Sequence, residues 1–99
     1  MRLLLVPALA LAATPSLAAL SGFYDSQEQI QAIFASPDVA DALRQMPVEE
    51  LKSEGEHKDG LIKWEVEIRE CDMDVYLKPT APAGVAKTTY TVAKLSRCD

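Results

Sequence analysis

Between Leu61 and Leu77 the chain alternates apolar and polar residues, and the alternation slips once. Ile62, Trp64, Val66 and Ile68 form one apolar set, with Lys63, Glu65, Glu67 and Arg69 between and after them. Cys71, Met73, Val75 and Leu77 form the next, with Asp72, Asp74, Tyr76 and Lys78 opposite. A period of two is the mark of a half-buried strand. A strand cannot exchange its faces without a break, so the slip places a tight turn at Glu70-Cys71 between strands Leu61–Arg69 and Cys71–Lys78. Such a hairpin has one dry face, here centred on Trp64, and something must cover it.

The cover comes from the residues before it. Asp25 to Ala35 reads as a helix, with Asp25 as its cap and Glu28 completing a capping box. Ile30, Ile33 and Phe34 share a face at helical spacing, and Phe23 just ahead extends that face. Ser36-Pro37-Asp38 starts a second helix: a cap, a proline suited to the first helical position, and an acid at the positive end of the helix dipole. Its apolar stripe is Val39, Leu43 and Met46, and Pro47 ends it by pushing the preceding residue out of the helical region.

Val48 to His57 is a charged strand candidate with Gly55 as a bulge, followed by a turn at Lys58-Asp59-Gly60. Pro79 to Lys87, with Pro82 and Gly84, reads as a loop, and Thr88 to Arg97, rich in Thr, Tyr and Val, as the last strand. The expected fold is α+β: two short N-terminal helices packed on one face of a four-stranded antiparallel meander, in the order ααββββ.

The two cysteines, Cys71 and Cys98, test this layout. One opens the third strand and the other follows the fourth, so a hairpin brings them together. Counting inward sets Leu77 near Val92 and Val75 near Lys94. That register aims Lys94 at the core, and a bulge near Ala93 that turns Leu95 inward repairs it. A disulfide closing a loop of this length is worth roughly 3–4 kcal/mol, a large share of the stability of a small domain.

A disulfide also needs an oxidising compartment. Met1-Arg2, the apolar run Leu3 to Ala13 broken only by Pro7, and the small residues leading to Ala18 and Ala19 have the plan of a secretory signal peptide. The run is well short of the roughly 20 residues that span a membrane. Residues 1–19 are therefore expected to be removed. Residues 20–99 form one small exported domain, periplasmic or secreted.

The full chain has 10 basic and 15 acidic residues, and loss of Arg2 with the leader takes the net charge from −5 to about −6. Such a surface repels nucleic acid and anionic membranes and tolerates a basic partner. The chain has one histidine, His57, set in a charged turn, and no serine or cysteine in a nucleophile motif. No enzyme, cofactor or metal site is expected from these residues.

Two surfaces remain as binding candidates. With the turn at Glu70-Cys71, Arg69 lies beside Asp72 and Glu67 beside Asp74. The second pairing sets like charges across two strands. Lys63, Arg69 or Arg97 can screen such a pair. Left unscreened, Glu67 and Asp74, with Tyr76 next along, make an acidic site for a lysine or arginine of a partner. The other surface is the loop, where Pro82, Gly84 and Val85 form a stiffened, small-residue tip. The leading expectation is a non-catalytic exported protein-interaction module, inhibitor-like or accessory to envelope assembly, whose partner is another exported or envelope protein. The alternative is a small-ligand or cation-binding module using the acidic sheet face.

Processing is directly measurable. Mass spectrometry of the exported protein is expected to show a chain beginning at Ala19 or Leu20. A retained Met1 would remove the argument for export and much of the reason to expect the disulfide.

Overall fold

The computed structural model describes residues 20–84, 86–96 and 98, so the leader and its cleavage site lie outside the described residues. Helix α1 spans Gly22–Phe34 and helix α2 Pro37–Ala42. Strands β1 (Val48–Glu56), β2 (Ile62–Ile68), β3 (Cys71–Thr80) and β4 (Thr89–Leu95) follow. They form one antiparallel sheet in the order β1-β2-β3-β4. The fold is α+β, as the alternation implied. Among the described residues no helix is long and apolar enough to cross a membrane.

Trp64, Val66, Ile68, Met73, Val75 and Leu77 on the inner sheet face meet Ile33 of α1 and Val39 and Leu43 at α2 in one buried cluster. Trp64 is 5 % exposed and its ring is satisfied: Nε1–H donates to Gln29 Oε1 at 2.7 Å. Gln29 Nε2 donates in turn to Asp25 Oδ2 at 3.1 Å, and the Tyr90 hydroxyl donates to Asp25 Oδ1 at 2.8 Å. This chain of polar groups ties α1 to β2 and β4.

It also explains where α1 begins. Asp25 is not the cap, because its carboxylate is engaged in this chain. Ser21 caps the helix, its Oγ accepting from the Tyr24 N–H at 3.4 Å, four residues earlier than the capping-box reading expected. Glu28 completes no box and pairs with Lys87 at 2.8 Å. The buried line of α1 runs through Gln29 and Ile33, with Ile30 half-buried beside it. Phe23 and Phe34, expected on the core face, point to solvent.

Ser36 caps α2 and Pro37 opens it, as expected. The helix stops at Ala42, ahead of Pro47. Arg44 and Gln45 adopt positive φ of 54° and 55°. The Gln45 N–H reaches Ala40 O at 2.9 Å and the Arg44 N–H reaches Asp41 O at 3.0 Å, the paired bonds of a Schellman end. Arg44 takes the place where glycine is usual, and its guanidinium pairs with Glu70 at 3.0 Å.

The β1–β2 turn is held by Gly60 N–H to His57 O and by a close His57 N–H to Leu61 O bond, with Gly60 at φ 86°. The register shift between Ser53 and Gly55 is the expected bulge. The β2–β3 turn is Arg69-Glu70, with Ile68 opposite Cys71. It was expected one residue later. Moving the turn by one shifts the cross-strand register by two, which leaves every side chain on its own face. The apolar pattern cannot distinguish the two registers.

Strand β3 runs on through Pro79 and Thr80, which pair with Tyr90 and Thr89, so both belong to the strand and not to the loop. Pairing with β2 has stopped at Leu77, so Pro79 has a neighbour on one side only, where a missing N–H is tolerated. Strand β4 ends at Leu95. Leu77 faces Val92 and Val75 faces Leu95, with the register shifting between them at Ala93, so the inward turn of Leu95 occurs as expected. Cys71 and Cys98 are disulfide-bonded, their Cα atoms 5.6 Å apart. Ser96 closes the same end: its Oγ accepts from the Asp74 N–H and its own N–H donates to Asp74 O.

Trp64→Ala removes the largest inner-face side chain and leaves Gln29 without its donor. It is expected to cost about 3–5 kcal/mol in urea unfolding. A loss under about 1 kcal/mol would place the ring outside the core.

Candidate functional site

The outer sheet face carries rows of charged residues, and its chemistry follows from the observed register. Glu67 faces Asp72 on β3 and Glu50 on β1, so three acids form a row across three strands. The pairing of Glu67 with Asp74, and that of Arg69 with Asp72, does not occur. A hydrogen bond to the Asp72 carboxyl, the charge of Asp72 and that of Glu50 together hold the Glu67 carboxyl above its ordinary range. The next row is compensated. Glu65 faces Asp74, Lys52 lies 3.7 Å from Glu65, and Lys63 lies 3.7 Å from Asp74.

Tyr76 stands in a third row. The His57 ring meets it edge-on with centroids 5.6 Å apart, and Lys94 Nζ lies 4.8 Å from its centroid. Lys94 also lies 4.0 Å from Asp59. The Asp59 carboxylate accepts from the Leu61 N–H, which holds its pKa down, with the charges of His57 and Lys94 adding to the effect. Glu67, Asp74 and Tyr76 thus share a face without forming one convergent site. Among the described residues no three His, Cys, Asp or Glu side chains are grouped to hold a metal ion.

The loop is tied down more than its composition suggested. Pro82 and Gly84, with Leu20, Asp25 and Tyr90, line a hollow of about 430 Å³, and Val85 lies outside the described residues. Lys87 reaches Glu28 of α1. Desolvation, and after it the bond to Asp25, raise the pKa of the Tyr90 hydroxyl at the wall of the hollow. At Pro82, Gly84 and Lys87 the loop leans on the start of α1.

The most exposed apolar surface among the described residues was not anticipated. Phe23 is 75 % exposed, Tyr24 57 % and Phe34 53 %. Phe23 and Phe34 are about three helical turns apart, on a line with Gln27 and Ile30 and roughly 100° around the helix from Gln29 and Ile33. A shallow apolar hollow of about 300 Å³ opens between Phe23 and Ile30. The signal was present in the sequence: α1 has more large apolar residues than one face can hold. Assigning all of them to the core concealed it.

Compared with known proteins, the chain matches no family model, no curated protein and no solved structure.

Glu67→Gln neutralises the centre of the acidic row and is expected to leave the urea midpoint unchanged or slightly raised at neutral pH. Because the folded-state pKa of Glu67 is raised, its protonation favours the folded state. That contribution is complete below the unfolded pKa and is lost as pH rises through the folded value. The variant should therefore lack part of the relative gain that the wild type shows between about pH 7 and about pH 4. A clear drop in the midpoint at neutral pH would mean that Glu67 serves a structural ion pair.

Proposed function

We propose that this chain is a small exported protein-interaction module, non-catalytic and inhibitor-like or accessory to envelope assembly. The aromatic row of α1 carries the reading. A domain of this size has little apolar surface to spare, yet Phe23, Tyr24 and Phe34 stay largely in solvent. Exposed apolar patches with aromatic members are typical of contact surfaces, because a rigid ring buries much area at a small cost in side-chain entropy. The row sits on a helix that the Trp64–Gln29–Asp25–Tyr90 chain fixes in rotation, so the anchors are preorganised.

The acidic outer face supports a partner with a basic surface, chiefly through faster, salt-sensitive association. The Cys71–Cys98 bond supports an oxidising compartment, periplasmic or secreted.

Site-specific photocrosslinking in the producing cell tests the reading. With a benzophenone amino acid in place of Phe23, irradiation is expected to yield one discrete adduct with another exported protein. The same probe at Glu54, exposed on β1, should not form it. Phe34→Ser should reduce the Phe23 adduct severalfold without lowering the melting temperature. Absence of an adduct at Phe23, or the same adduct from both positions, would contradict the proposal.

A further inference from the structure

We infer that the free edge of β4, with the cleft between it and α2, receives an extended peptide segment of a partner protein. The segment carries a lysine or arginine two residues from an apolar side chain. This goes beyond the reading of α1, uses a different surface and does not depend on it.

Among the described residues the sheet is open, so β1 and β4 each present backbone N–H and C=O groups without a strand partner there. The two edges differ. Strand β1 carries Glu49, Glu50, Glu54 and Glu56 against Lys52, and its register is broken twice. Repeated acids and irregular pairing both discourage an added strand. Strand β4 reads Thr89-Tyr90-Thr91-Val92 up to its bulge, four residues of high strand preference and no charge.

Beside β4 the second helix does not close down on the sheet. A cleft of about 440 Å³ separates them. Ala42, Val92, Ala93 and Leu95 give it an apolar wall, Asp38 and Asp41 stand along its α2 side, and Lys94 lines it from β4. The Lys94 ammonium lies over Tyr76 and near Asp59. Among the described residues no cation lies within ion-pair distance of Asp38 or Asp41.

A strand added to this edge would place alternate side chains in the cleft. One of them meets the apolar wall, and the next on the same side, two residues along, meets the acids. Charge complementarity therefore selects a basic residue at that position. A second copy of this chain fits less well. Two copies of this acidic chain repel one another.

The test pans phage-displayed random heptapeptides against the whole folded, oxidised protein. Enriched sequences are expected to carry lysine or arginine two residues from an apolar residue. A synthetic peptide of the enriched sequence should shift the backbone amide resonances of Thr89 to Val92 and of α2. The Asp38→Asn, Asp41→Asn double variant should bind it about tenfold more weakly. A Phe23→Ser, Phe34→Ser variant should bind it as the wild type does, which separates this surface from the row on α1. No enrichment, enrichment without basic residues, or shifts confined to other elements would overturn the inference.

Discussion

The structure depends on one polar chain whose Trp64–Gln29 link is buried. The single tryptophan of the sequence lies at the centre of the inner sheet face, and an indole N–H left without an acceptor there would cost about 1–3 kcal/mol. Gln29 accepts from it and passes its own side-chain donor to Asp25, which also receives the Tyr90 hydroxyl. Apolar burial is non-directional and by itself specifies no donor–acceptor alignment between helix and sheet. A directed chain from helix to two strands does. With Gln29 held over Trp64, Ile33 goes into the core, and Phe23 and Phe34 are carried to the solvent side.

That constraint also marks the limit of what the sequence could show. The alternation from Ile62 to Leu77 made two strands and their inner face legible, because a period of two has one physical solution. The bulge at Ala93 was legible because an uncorrected register would have buried Lys94. The disulfide helped by fixing which strand ends meet. The turn at Arg69-Glu70 was not legible, since a register moved by two residues keeps every apolar side chain inside and changes only which charges face one another. For that reason Glu67 belongs with Asp72 and Glu50, and Asp74 with Glu65 and Lys63.

The start of α1 was hidden for a related reason. Ser21 and Asp25 are both good caps by residue type, and only the tertiary role of the Asp25 carboxylate decides between them. A glutamine in the core is likewise invisible to a pattern that sorts residues into apolar and polar. The exposed aromatics have the same origin. Once Gln29 occupies the buried line, α1 has more apolar residues than its core face admits, and the excess is what a partner can use. Fold and candidate site therefore share a cause: the polar group that orders the core also determines what is left outside it.

Hydrogen exchange of the Trp64 indole is the most direct measurement of this account. With one tryptophan in the chain, its Nε1–H gives a single, unambiguous proton resonance. Buried and donating to Gln29, that proton should exchange with deuterated solvent only as slowly as the most protected amides of β2 and β3, and a Gln29→Ala variant that remains folded should exchange it much faster. Exchange within the first minutes in the folded wild type, or an unchanged rate in the variant, would contradict the claim that this bond orients the helix on the sheet.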